Sequence, residues 1–273
     1  MPNTREAHRA AHQVGNSRWL ESLARFGFIG YGVVHLLVAW LAVQIAFGRS
    51  AADGDQSGAM RTLAQQPLGR ILLIAVAVGL AAMALWQAIE AAGGHQAEQG
   101  RRRALERVLS AGRTVVYLSF AWTAGQVLRH ADADTAGQQQ AASERVMSAP
   151  GGQWLVALAG VVVLVVGAGM VFNGVTQRFA KHLKTRTMSA RVRRFTCRLG
   201  MVGYLAKGVA YGTAGLLVVI AAVRFEPERA RGLDAALHTL REQAYGSILL
   251  CLVAVGFAAF GVYCFAQSRY RKV

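Results

Sequence analysis

Apolar residues along this chain are gathered into long blocks rather than alternating over a short period. Residues 26–47, 71–89, 154–176 and 244–268 contain no Asp, Glu, Lys or Arg. Each block reaches the ~17–25 residues that carry a helix across a ~30 Å hydrocarbon layer. Two more blocks, 108–128 and 199–223, have the same reach with one cation each, Arg113 and Lys207. The pattern predicts six transmembrane helices. Short stretches between paired blocks keep apolar residues at helical spacing: Leu233, Leu237 and Leu240 fall at i, i+4 and i+7. These predict short amphipathic helices lying on the outer membrane interface.

The blocks are copies of one another. Tyr31-Gly32-Val33-Val34-His35 aligns with Arg113-Thr114-Val115-Val116-Tyr117 and with Lys207-Gly208-Val209-Ala210-Tyr211. Among the second blocks, Gly69-Arg70-Ile71-Leu72-Leu73 aligns with Gly246-Ser247-Ile248-Leu249-Leu250, Gly79 with Gly256, and Pro67 with Pro150. The chain therefore divides into membrane repeats at 23–91, 105–174 and 196–267. Basic loops at 92–104 and 175–195 join them, and segments 1–22 and 268–273 flank them. Each repeat holds two spans, so all three enter the membrane in the same sense and can be related by an axis along its normal. The expected fold is all-α: a polytopic membrane protein of six transmembrane helices, built as three tandem two-helix repeats with approximate threefold arrangement. Small residues along the first helices (Gly32, Thr114 and Gly208, then Ala39, Ala121 and Gly215) predict close helix contact.

Composition agrees, and charge adds orientation. Hydrophobic residues make up 54% and charged residues 16%, against roughly 25% charged in a soluble domain. Mean hydropathy is +0.32. The net charge of +16 is one-sided. The N-terminal segment, the two basic loops, the start of the third span and the tail together hold 20 of the 30 Lys and Arg with five acids, whereas the other loops hold nine bases and nine acids. Positive charge concentrates on the cytoplasmic side, which puts both termini there. Anionic lipid headgroups are the partner such loops attract. The Arg191–Arg198 cluster has only Phe195 among its cations, too few rings for single-strand stacking, so no nucleic acid is expected. The three cysteines lie in or beside spans and imply no disulfide framework. His8 and His12, four apart in an arginine-rich tail, make a poor metal site.

The repeated Gly-Val-Val-aromatic opening, the Gly-rich first helix and the outer amphipathic link resemble the bacterial membrane family catalogued as domain of unknown function 1206. The third copy, from Gly200 through Tyr211, matches best; the first departs at Tyr31 and His35, and the second has Thr114 where glycine is usual. The resemblance implies a six-span protein of the bacterial inner (plasma) membrane, of undefined activity, and supplies no catalytic residue.

Ionisable residues inside spans are the functional candidates, because lipid makes them costly. His35, Tyr117 and Tyr211 share one depth of the three first helices. One turn toward the cytoplasm, on the same face, lie Tyr31, Arg113 and Lys207. Converging, they would form a cationic, aromatic-lined pocket for an anionic headgroup or carboxylate, with His35 able to carry a proton. Held apart, Arg113 and Lys207 would snorkel to the headgroups. Phosphate loop, zinc-ligand spacing and nucleophile elbow are all missing from the sequence, so the reading is not an enzyme, with no cofactor and no metal. Two functions stand: a non-catalytic membrane bundle that interacts with lipid, with another membrane protein or with its own copy, and a transporter or channel for a small anionic solute.

Overall fold

The computed structural model describes residues 18–48, 53–93, 100–130 and 135–271. The expectations for His8, His12 and most of the N-terminal segment lie outside these. Nine α-helices follow in order among the described residues: α1 (Arg18–Ala46), α2 (Gln56–Ala64), α3 (Gly69–Gly93), α4 (Gly100–His130), α5 (Thr135–Met147), α6 (Gly152–Val175), α7 (Ala190–Arg224), α8 (Leu233–Arg241) and α9 (Gly246–Tyr270). No β-strand occurs among them. An isolated antiparallel bridge pairs Leu183 with Arg271. Each repeat is thus a long helix, a short outer helix and a second long helix.

Five long helices, α1, α3, α6, α7 and α9, are long and apolar enough to cross a membrane. The expected sixth, α4, has 31 residues but is less apolar, because Ser110, Arg113, Thr114, Ser119, Thr123 and Gln126 dilute its middle. Hydroxyls that would otherwise go unpaired turn back on the helix: Thr114 Oγ1 donates to the Ser110 carbonyl (3.0 Å) and Thr123 Oγ1 to that of Ser119 (3.0 Å). The 35 residues of α7 extend roughly 50 Å, so its arginine-rich first turns project beyond an apolar layer.

The repeat is carried by glycines with a structural task. Every second long helix starts at one: Gly69, Gly152 and Gly246. A Cβ there would fall 1.7, 1.7 and 1.8 Å from the carbonyl oxygens of Leu63, Val146 and Arg241. The chain can turn from the outer helix into the bundle this tightly only without a side chain.

Packing joins consecutive repeats. The second long helix of one lies against the first of the next, α3 on α4, α6 on α7 and α9 on α1. The small-residue rows supply these contacts. Gly208 and Gly215 of α7 meet the backbone of Gly167 and Gly160 of α6, and Gly32 of α1 meets Gly261 of α9, so backbones approach closely and gain dispersion contacts. Within repeats, α1 packs on α3 and α7 on α9, whereas α4 and α6 form no comparable interface.

The short helices are buried more deeply than a stripe resting on an interface predicts. α2 and α8 close one end of the bundle. Ala59, Met60 and Leu237 are fully buried and join one core with Val34, Val38 and Ile45 of α1 and Phe257 of α9. Each large side chain so buried contributes about 1.5–3 kcal/mol, more than one face resting on headgroups would gain. Polar groups lock the plug. Asp53 pairs with Arg61 and, at 3.2 Å, with Arg231. Asp234 accepts from the Gly54 N–H at 2.8 Å, with Arg231 at 3.4 Å and His238 at 3.5 Å. Burial pushes the Asp234 carboxyl up, but the hydrogen bonds from His238 and Gly54 and the charges of His238 and Arg231 outweigh it and hold its pKa below the usual carboxylate range. Burial raises that of Asp55, which caps α2 by accepting from the Gly58 N–H at 2.9 Å.

Candidate functional site

Three of the six candidate side chains meet in the centre of the bundle. Lys207 of α7 is 2% exposed and His35 of α1 is 0% exposed. Lys207 Nζ lies 2.9 Å from His35 Nε2 and donates to the Tyr31 hydroxyl at 3.0 Å. His35 Nδ1 is 2.8 Å from the Tyr31 carbonyl oxygen. A carbonyl can only accept, so Nδ1 carries the hydrogen and Nε2 turns its lone pair toward the lysine. The lysine and histidine therefore hold at most one positive charge between them. No carboxylate pairs with Lys207 among the described residues. Aromatic rings surround the ammonium instead: Phe260 at 4.0 Å, Tyr31 at 5.1 Å and Tyr211 at 5.7 Å from their centroids, an arrangement that stabilises a cation through the ring quadrupoles. Lys207 does not snorkel.

Two of the other three candidates, Tyr117 and Tyr211, stand beside this group. Tyr117 meets Tyr31 edge-on, with ring centroids 5.6 Å apart. The Tyr211 hydroxyl accepts from Gln56 Nε2 at 3.0 Å and so ties the cage to the outer plug. Arg113 separates from Lys207: its side chain is exposed on α4. The two cations that align in sequence therefore have different environments.

Another arginine, which sequence reading assigned only to topology, is placed in the bundle. Arg271, just past the end of α9, lays its guanidinium 4.9 Å from the Phe28 ring and 5.3 Å from the Trp86 ring, and its Nε is buried without a partner. The bridge to Leu183 and a hydrogen bond from the Lys184 N–H to the Tyr270 carbonyl (2.7 Å) hold it there. Tyr117 packs against the cluster of Phe28, Met83 and Trp86, and Tyr204 meets Phe260 edge-on with ring centroids 5.4 Å apart. Neither tyrosine hydroxyl has a hydrogen-bond partner among the described residues. Tyr204, three residues before Lys207 on the same helix face, and Phe260 carried no signal in the sequence beyond aromatic character.

The second repeat leaves a way in. In the first, Gly27 of α1 crosses Gly79 of α3, where a Cβ on Gly79 would lie 2.8 Å from the Gly27 Cα. In the third, a Cβ on Gly256 of α9 would lie 2.0 Å from the Ala206 Cβ of α7. The aligned positions of the second repeat are Leu109 in place of Gly27 and Gly203, and Val162 in place of Gly79 and Gly256. Side chains stand where the other repeats cross on glycine, and α4 and α6 form no comparable interface. Leu109 is 44% and Val162 54% exposed, while Gly112, aligned with Gly30 and Ala206, has nothing within 4 Å of where its Cβ would be. An apolar groove of about 560 Å3 runs along α4 here, lined by Val115, Leu118, Ser119, Ala121 and Trp122.

Comparison with known proteins places the repeats independently. The sequence profile of the family described as Domain of Unknown Function (DUF1206) matches three times, at residues 26–94, 108–177 and 202–271. The uncharacterized protein YxxB of Bacillus subtilis (strain 168) is 29% identical over 256 residues, covering 93% of this chain and 92% of its own. No solved structure matches.

Proposed function

The chain belongs to the family described as Domain of Unknown Function (DUF1206), and on that footing we propose that it is a lipid-binding protein of the bacterial plasma membrane, acting by binding rather than by catalysis. Six spans cross the bilayer, α4 among them, with both termini cytoplasmic. The three repeats stand around an approximate threefold axis interrupted at the second. The alternation of between-repeat contacts supports that arrangement, and the one-sided charge supports the orientation. The cleft between α4 and α6 accepts an acyl chain. One observation carries this reading: rows that pack against each other in the first and third repeats are exposed in the second, because Leu109 and Val162 replace the crossing glycines. An apolar cleft inside a bilayer fills with the apolar molecules around it.

Retention of lipid by the gently extracted protein, read by native mass spectrometry, tests the proposal. Gly112→Trp and Val162→Trp fill the cleft and are expected to abolish bound lipid. Val78→Trp, on the outward face of α3, is expected to leave it unchanged. Equal retention in all three variants would refute the cleft.

A second reading, transport of a small anionic solute, draws on Lys207, a buried lysine with no carboxylate partner among the described residues. Anion uptake by proteoliposomes that Lys207→Met abolishes and Arg113→Met leaves intact would favour it over lipid binding.

A further inference from the structure

We propose that the pocket between α7, α8 and the short 3-10 helix Pro227–Ala230 binds an organic primary ammonium group through the carboxylates of Glu228 and Glu242. The pocket shares no residue with the groove along α4, and the inference does not depend on the lipid-binding reading.

The pocket encloses about 340 Å3, within the ~300–1,000 Å3 of small-molecule sites. Asp234, His238 and Glu242 line it at i, i+4 and i+8, along one face of α8 and its C-cap. Glu228 enters from the 3-10 helix. The cations of the lining are already committed. Arg229 pairs with Glu226, and Arg231 with Asp53 and Asp234. His238 pairs with Asp234 as well. The carboxylates of Glu228 and Glu242 make no ion pair and no hydrogen bond among the described residues. The uncommitted charges facing this space are therefore both negative. α8 also ends here, and the partial negative charge of a helix C-terminus favours a cation.

The lining also selects the kind of cation. Among the described residues no three His, Cys, Asp or Glu side chains stand close enough to hold a metal ion, so the space suits a larger cation. A primary ammonium group brings three N–H donors, and two carboxylates with the Thr239 hydroxyl supply acceptors. Charge-assisted hydrogen bonds of this kind are the strong ones. Leu217 and Ala235 give the attached carbon chain an apolar surface. Glu228 and Glu242 are exposed, so a ligand reaches them without rearrangement of the fold. The first repeat, built on the same plan, lacks the device. With Met60 aligned to Leu237, Ser57, Arg61 and Gln65 fall opposite Asp234, His238 and Glu242. None of these three is anionic, so the shared architecture does not demand the carboxylates. A soluble amine and the headgroup of an ethanolamine phospholipid offer the same ammonium chemistry.

Isothermal titration calorimetry of the full-length protein in detergent tests the site with butylamine and with tetramethylammonium, which has the same charge but no N–H donor. The wild type is expected to bind butylamine roughly tenfold more tightly, as hydrogen bonds to a charged group warrant. Glu228→Gln combined with Glu242→Gln is expected to weaken butylamine roughly tenfold or more. Circular dichroism should stay unchanged, because neither carboxylate has a partner to lose. Glu144→Gln, at an exposed carboxylate on α5, should bind as the wild type does. Equal binding of the two cations reduces the effect to charge and overturns the proposal, as does unchanged butylamine binding in the double variant. Native mass spectrometry with equal amounts of phosphatidylethanolamine and phosphatidylcholine separates the sources. A preference for phosphatidylethanolamine that butylamine displaces and the double variant loses makes the ligand a lipid headgroup. Butylamine binding without that preference makes it a soluble amine. Absence of both overturns the site. Gly112→Trp should leave butylamine binding intact, so the lipid cleft and this pocket can fail separately.

Discussion

Replacing Gly256 by valine should convert the third repeat into an imitation of the second. A Cβ at this position would lie 2.0 Å from the Cβ of Ala206, with the Ala206 Cα at 3.4 Å and the Val202 carbonyl oxygen at 3.6 Å. Carbon atoms in contact sit about 3.5–4.0 Å apart, so α7 and α9 would have to separate by roughly 1.5 Å or more. Both are long helices packed on further partners, α6 and α1, so neither can yield alone. Overpacking of this kind costs about 1–3 kcal/mol, and the depth of the overlap points to the upper half. Glycine and valine differ by only a few tenths of a kcal/mol in helix propensity, so clash dominates. A loss of about 2–3 kcal/mol should lower the melting temperature in detergent by roughly 5–10 °C. Ala206→Gly in the same chain removes the struck methyl and should restore more than half of the loss, a coupling that two independent substitutions would not show. Gly112→Ala, into open space, should be neutral or stabilising by up to about 1 kcal/mol. The reasoning fails if Gly256→Val melts with the wild type, or if Gly112→Ala is as damaging as Gly256→Val.

Other predictions concern the centre, the plug and the orientation. His35→Leu leaves the Lys207 ammonium without one acceptor and should destabilise by about 3 kcal/mol, whereas His35→Leu with Lys207→Met should recover most of it; additive losses in chemical denaturation would deny the coupling. The Asp234–His238 pair should stabilise the outer plug most at intermediate pH. The His238 pKa is raised, chiefly by its hydrogen bond to Asp234 with burial opposing, so its contribution is complete below the unfolded value near 6.5 and is lost as pH rises through the folded one. That of Asp234 is depressed, so its contribution is complete above about 3.9 and is lost as pH falls through the folded value. With His238 about half exposed, the alkaline loss should stay below about 1 kcal/mol and vanish in His238→Gln, as thermal melts across pH would show. Cysteine placed at Gln138 or Arg229 should react with an impermeant maleimide from outside intact cells, and one placed at Lys184 should not; the reverse labelling would invert the topology.

The sequence by itself determined the class of protein, the repeats and the family. Long blocks without charge have no stable place in water, and glycine is demanded wherever a turn or a crossing leaves no room for Cβ, so hydropathy and aligned glycines survive as text. It also marked His35, Tyr31 and Lys207, because ionisable groups inside apolar blocks are conspicuous. Other features required the tertiary structure. Arg113 and Lys207 align, yet one is exposed and the other sealed among aromatic rings, since burial depends on the helices standing opposite and not on position within a block. Arg271 looked like one more tail charge until the end of α9 placed it between Phe28 and Trp86. α2 and α8 carried the stripe of a surface helix, but the open end of the bundle offered their apolar faces more burial than an interface could. The differences at Leu109 and Val162 were present in the text all along. Only the packed first and third repeats showed that the missing glycines were crossing points, because a steric clash belongs to two helices at once and is written in neither.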